Sequence, residues 1–281
     1  MISINTQPID KTTFPDGTHL FRCTGWKLTK KAQLLDSNEA NINWQYDNDS
    51  ELFELKCVVD YLRNNGITKI NLYMPYVPNA RMDRIKNRDE MFTLKSFADL
   101  INNMHFANVF VLDIHSNVGA ALINNITVIS PKKYINTIID KYLPVKPTIM
   151  FFPDEGAMKR YSNIAKQLQF PFTFGMKDRD WRTGKIKGLQ VLGDTNHIYN
   201  YNILIIDDIC SKGGTFYHSA KALKELGAKD IHLYVSHLEN AVHDGDMIQS
   251  GLISHIYTTD SIYRPELAPK NTTVPITIVN K

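Results

Sequence analysis

The sequence predicts an α/β fold of two domains, each a largely parallel sheet with helices on both faces. Three observations carry that expectation. Short, β-branched apolar runs such as residues 203–206 alternate with longer stretches of helical period. The alternation runs through the first half of the chain and begins again near residue 132. Polar residues follow the strands at their carboxyl ends, where open α/β sheets place ligands. The chain has 281 residues, 43% of them hydrophobic and 22% charged, which suits two ordinary domains with a core each. The expected division is 1–131 and 132–281, with a C-terminal tail that could return to the first domain.

The first forty residues are the least legible. Phe14-Pro15-Asp16-Gly17 is a turn signal, and residues 18–23 and 40–46 read as strands. Ser50 is placed to cap a helix whose Leu52, Leu55, Val59 and Leu62 share one face and which stops before Gly66. A strand at 69–74 leads into a long polar loop at 77–91. A helix from Thr93 to Met104 then precedes strands at 108–112 and 126–129. In the second half, 132–142 reads as a helix, 148–152 as a strand, the segment after Gly156 as a helix to Leu168, and 172–176 as a strand. Residues 177–188, charged and glycine-containing, read as a loop. A strand at 231–236 ends at His237, and short strand candidates lie near 255–258 and 273–279.

The stretch Tyr201-Asn-Ile-Leu-Ile-Ile-Asp207-Asp208-Ile-Cys-Ser211-Lys212-Gly213-Gly214-Thr215-Phe216 organises the reading. A buried strand delivers two carboxylates to its carboxyl end, and a turn of small residues follows. A helix then places Phe216, Ala220 and Leu223 on one face and stops at Gly227. Backbone N–H groups of such a turn converge on an anion, assisted by the helix dipole. Asp207 and Asp208 cannot share that anion; they suit ribose hydroxyls, or a metal held between the hydroxyls and the protein. Strand, acid pair, turn and helix together describe a cradle for a ribose 5-phosphate.

A net charge of +3 is too small to predict a nucleic-acid or membrane partner, and no 20-residue apolar segment or signal-peptide pattern is present. Cys23, Cys57 and Cys210 are odd in number and widely spaced, as expected of reduced thiols in a cytoplasm.

The cradle resembles the ribose-phosphate signature shared by type I phosphoribosyltransferases and phosphoribosyl pyrophosphate synthetases. Further motifs narrow the resemblance to the synthetases, and with it to two tandem phosphoribosyltransferase-like (Rossmann-like) domains. Pro75-Tyr76…Ala80-Arg81-Met82-Asp83-Arg84 resembles their Pro-Tyr…Ala-Arg-Gln-Asp-Arg, and Leu112-Asp113-Ile114-His115 their Asp-Leu-His. Pro153-Asp154-Glu155-Gly156-Ala157-Met158-Lys159-Arg160 resembles their Pro-Asp-x-Gly-x-x-x-Arg, and Lys177-Asp178-Arg179 falls where they carry Lys-x-Arg on a mobile loop.

The resemblance implies transfer of the β,γ-diphosphate of ATP to the C1 hydroxyl of ribose 5-phosphate. That reaction rests on charge neutralisation and in-line positioning, with Mg²⁺ as the bridging ion. It implies Lys177 and Arg179 as the catalytic cations, and Phe14, Asp16, Arg81, Met82, Asp83 and His115 as the ATP site. It places His115, Asp154 and Asp113 near the metal, and Asp207, Asp208, Ser211, Lys212, Gly213, Gly214 and Thr215 around the sugar phosphate. A homo-oligomer is implied as well.

Several positions depart from the family pattern. The family's opening strand and helix before the Phe-x-Asp-Gly turn are expected to be missing, and Thr18 stands where that turn has Glu. Met82 replaces Gln, and Asn124 falls where many members have Asp. Ser211-Lys212 replaces Asp-Thr, making the cradle about two charges more positive. That change predicts room for a larger acceptor such as ADP-ribose. A phosphoribosyltransferase and a silent, synthetase-like regulatory subunit are the remaining alternatives. The Arg81 and His115 motifs argue against the first, and the retained Lys177, Arg179 and acid pair against the second.

Overall fold

The computed structural model describes residues 1–24, 38–143, 147–179, 186–193, 195–269 and 271–279. The chain divides into two compact units, Met1–Ser130 and Pro131–Lys281.

The first unit opens with strands β1 (Ile2–Ile4), β2 (Gln7–Pro8), β3 (Asp10–Thr13), β4 (His19–Arg22) and β5 (Glu39–Trp44). Helix α1 (Glu51–Asn64), β6 (Lys69–Tyr73), α2 (Thr93–Asn102), β7 (Asn108–Leu112), α3 (Asn117–Leu122) and β8 (Ile126–Ile129) follow. Its six-stranded sheet has the order β2-β1-β5-β6-β7-β8, while β3 and β4 form a separate antiparallel ribbon. From β5 to β8 every pairing is parallel; β1 and β2 add antiparallel strands at one edge. The core lies between one sheet face (Ile42, Trp44, Ile70, Leu72, Val109, Val111) and helices α1 and α2 (Leu55, Val59, Leu62, Phe97, Ile101). The other face carries Asn41, Asn71 and Asn108 in register, joined by amide hydrogen bonds of 2.9 Å.

The second unit contains α4 (Lys132–Tyr142), β9 (Thr148–Phe152), α5 (Glu155–Gln167), β10 (Phe172–Arg179), β11 (Ile186–Leu192), β12 (Asn202–Cys210), α6 (Gly214–Glu225) and β13 (Ile231–Leu238). A 3-10 turn (Asn240–Asp244), α7 (Asp246–Gln249), β14 (His255–Thr258) and β15 (Ile276–Ile278) complete it. The seven-stranded sheet has the order β11-β10-β9-β12-β13-β14-β15, parallel except for β11. Every residue of β9 is buried, as is the stretch 202–206 of β12. Such a run needs cover on both faces. One side packs Phe216, Ala220 and Leu223 of α6, and the other brings Tyr161 of α5 against Phe152.

Five expectations need correction. Residues 177–179 and 186–188 are not loop: β10 extends through Arg179 and pairs antiparallel with β11, leaving only 180–185 outside the described residues. The acid pair does not stand beyond its strand, because β12 continues past it to Cys210 and stays paired with β13. His237 lies inside β13, buried, rather than at its end. The tail stays with its own unit, β15 pairing with β14. Ser50 precedes α1 but makes no side-chain cap; its hydroxyl donates to Asn48 Oδ1 at 2.5 Å.

Candidate functional site

In the second unit the site is built outward from the sheet centre. β9 and β12 run side by side, Ile205 opposite Phe151, so Asp207 comes level with the start of the Pro153-Asp154 turn. Asp154 caps α5, its Oδ1 accepting the Ala157 N–H at 3.0 Å. The cap satisfies one of the helix's orphan donors and fixes where α5 starts. Arg160 follows six residues on and reaches back to β12. Its Nη2 donates to Asp208 Oδ1 at 2.6 Å and lies 3.3 Å from Asp207 Oδ1. The Asp208 N–H donates to Asp207 Oδ1 at 2.9 Å.

The electrostatics follow from this burial. Two carboxylates share one guanidinium. The Asp207 carboxyl is held well above its usual range, first by burial and then by the like charge of Asp208. Burial opposes the charge on Arg160, yet Tyr161 and the two carboxylates hold it firmly protonated.

After Cys210 the chain turns through 211–213 into α6. Gly213 takes the left-handed conformation (φ 79°, ψ 14°), which a side chain rarely adopts, and α6 starts without a side-chain cap. Its first N–H groups therefore have no side-chain acceptor from a cap. The turn is braced from behind. A Cβ on Gly213 would meet Met247 Sδ at 2.7 Å, so the turn rests directly on α7. Asn240 holds the preceding 3-10 turn by exchanging hydrogen bonds with the backbone of Arg264 at 2.8 and 3.0 Å.

The predicted residues of the first unit fall into two groups. Arg81, Met82 and Asp83 lie on the loop after β6, Arg81 and Met82 exposed. Asp113 and His115 follow β7, tied to the start of that loop by the Leu112 N–H donating to Pro75 O at 2.9 Å. Asp113 is buried with φ 43°, and Asn79, two residues before Arg81, has φ 62°. Strained backbone of this kind clusters at ligand sites. Phe14 and Asp16 stand apart on the β3–β4 ribbon, Phe14 exposed. The Asp16 carboxylate accepts the Thr18 hydroxyl at 2.7 Å and the Thr18 N–H at 3.0 Å, bonds that hold it below the usual carboxylate range. Thr18, in the place of the family's Glu, thus closes the turn on itself.

Lys177 and Arg179 have backbones paired to Leu189 and Ile186 across the β10–β11 hairpin. In the turn before α6, Lys212 and Gly214 are exposed and Ser211 and Thr215 half-buried. Among the described residues no group of three or more His, Cys, Asp or Glu side chains forms a ready cation cage. Mg²⁺ needs fewer: it keeps waters and takes one or two carboxylates beside substrate phosphates, a requirement Asp113 or Asp154 could meet. Arg160 and the Gly245–Met247 brace were not assigned from sequence. Arg160 could have been, since it sits three residues after Ala157 at the margin of the α5 face that Ala157, Tyr161 and Ile164 bury.

Comparison with known proteins agrees with this geometry. The family described as "Phosphoribosyl transferase domain" matches residues 123–249. A ribose-phosphate pyrophosphokinase of Mycoplasma pneumoniae is 31% identical over 263 residues, covering 90% of this chain and 76% of that protein. The chain belongs to the ribose-phosphate pyrophosphokinase family. A second pyrophosphokinase, from Bradyrhizobium diazoefficiens, is 29% identical over 230 residues, covering 80% of this chain and 71% of its own. The crystal structure of phosphoribosylpyrophosphate synthetase from Mycobacterium smegmatis superposes with a TM-score of 0.72. It covers 97% of this chain and 85% of that one, and at 18% identity it establishes the shared fold. The expectation of a diphosphotransferase is met by membership of the pyrophosphokinase family. No support for an ADP-ribose acceptor comes from these relatives, which are named for ribose phosphate. No helix among the described residues is long and apolar enough to cross a membrane.

Proposed function

We propose that the chain transfers the β,γ-diphosphate of ATP to the C1 hydroxyl of ribose 5-phosphate, giving a 1-pyrophosphorylated sugar and AMP. The observation that carries this reading is the cradle of the second unit. An acid pair on the centre of a parallel sheet is followed by a left-handed glycine turn and an uncapped helix start. The turn and helix N–H groups of 213–215, with Ser211 and Thr215, take the 5-phosphate, and the acid pair takes the ribose hydroxyls. Lys177 and Arg179 neutralise the migrating group. In the first unit Arg81 pairs with nucleotide phosphate through its planar fork, with Met82, Asp83 and His115 beside it. Phe14 and Asp16 contribute to the adenine end. Mg²⁺ would supply charge neutralisation when bound with ATP; in the first unit Asp113 and His115 are the residues that would hold it, and in the second unit Asp154 is a separate carboxylate suited to a divalent ion. The working unit is a cytoplasmic homo-oligomer.

Purified protein given Mg·ATP and ribose 5-phosphate should release AMP in step with a pyrophosphorylated sugar, with no base required. A parallel reaction with ADP-ribose tests the more positive turn created by Lys212. Preference for ADP-ribose would replace the acceptor named here, and no AMP from either sugar would remove the assignment. A phosphoribosyltransferase would instead consume the pyrophosphorylated sugar only when a base is supplied.

A further inference from the structure

We propose that Arg160 is the built-in counter-ion of the sugar subsite, so that the acid pair takes ribose hydroxyls directly and without a divalent cation. The inference rests on the ribose-phosphate reading of the cradle. Its observation is separate: one guanidinium lies 2.6 Å from Asp208 and 3.3 Å from Asp207. It divides the pair. The Asp208 side chain, which makes the shorter contact with Arg160, is 3% exposed, whereas that of Asp207 is 14% exposed. The Arg160 contact and the Asp208 N–H both fall on Oδ1 of Asp207.

A divalent ion close enough to bridge both carboxylates would lie beside a guanidinium that is itself largely buried, a like-charge contact in a region of weak screening. Arg160 also cannot give up its proton to make way. It is anchored on both sides, by the α5 helix that Asp154 starts and by its stacking 5.3 Å over the Tyr161 ring. The place a metal would occupy between two acids is taken by a residue of the fold, which makes Arg160 a positioning residue for Asp207.

The test compares the full-length protein with Arg160→Met and Arg160→Lys. Calorimetry with ribose 5-phosphate, in EDTA and again in excess Mg²⁺, reads the sugar subsite directly. The wild-type affinity should be the same in both buffers. Arg160→Met should bind at least tenfold more weakly in EDTA and recover in Mg²⁺, because the exposed acid pair then recruits the ion; Arg160→Lys should stay indifferent to Mg²⁺. Titration of Mn²⁺ followed by electron paramagnetic resonance, without sugar or nucleotide, should show one more bound ion in Arg160→Met than in wild type. Wild-type sugar binding that requires Mg²⁺ overturns the proposal, as does an unchanged Mn²⁺ count in a folded Arg160→Met. Absence of ribose 5-phosphate binding in both buffers would strike the cradle reading itself, while the Mn²⁺ count would still judge Arg160.

Discussion

A Cβ added to Gly245 would sit 1.9 Å from the carbonyl oxygen of Lys212. Two chain segments thirty-odd residues apart therefore meet at backbone distance under the 211–213 turn, and only glycine permits it. Gly245→Ala must push the turn outward by more than a side chain can absorb, a strain of about 1–3 kcal/mol by analogy with overpacked cores. Ribose 5-phosphate affinity should fall about tenfold while the circular dichroism stays native. Wild-type affinity in the alanine variant would show that the turn does not depend on this contact.

The Asp113 backbone makes a second, local prediction. At φ 43° it occupies a region that aspartate tolerates and alanine resists. Asp113→Gly removes the carboxylate and relaxes the backbone, whereas Asp113→Ala removes the carboxylate and keeps the strain. In urea unfolding the alanine variant should be less stable than the glycine variant by about 1 kcal/mol. Equal midpoints would mean that the neighbouring strand does not enforce the conformation.

These two sites also show what the sequence could and could not disclose. Buried parallel strands announce themselves as continuous apolar runs, so β9, β12 and β13 and the helices between them were legible. The opening strands were not. β2 and β3 are short and wholly exposed, with no apolar period to betray them. The Lys177-Asp178-Arg179 stretch reads as loop because its charges belong to no core, yet cross-strand bonds to β11 hold it extended. Asp207 and Asp208 were found because they follow the apolar centre of a strand. The Arg160 ion pair was missed because it spans 48 residues of sequence and depends on how α5 lies on the sheet. Gly245 reads as an ordinary loop glycine until Lys212 is seen against it.

The raised pKa of Asp207 has a consequence for stability. A carboxyl whose folded pKa exceeds its unfolded value, about 3.9, favours folding at low pH. That contribution is lost as pH climbs from the unfolded value through the folded one, and the deficit then stays constant. Asp207→Asn removes the ionisation and leaves Arg160 to Asp208. Its urea midpoint should exceed the wild-type value at pH 7, and the difference should shrink as pH falls toward 4. Ribose 5-phosphate affinity should drop in the same variant, a gain in stability at the cost of function. A lower midpoint at pH 7 would show that Asp207 is stabilised by its surroundings.

Lys177 tests the catalytic assignment. Its backbone lies on β10 just before the register shift between Asp178 and Arg179. A cation that neutralises the migrating diphosphate acts where charge redistributes in the transition state, and little in the ground state. Lys177→Ala should therefore lower kcat for AMP formation by roughly 10²–10³-fold, the scale of losing one such donor. The KM values for ATP and sugar should move by less than about threefold. A rise in KM at constant kcat would instead describe uniform binding of ATP. Unchanged kinetics would leave the lysine as a solvated charge on a hairpin, and the neutralising role would have to pass to Arg179.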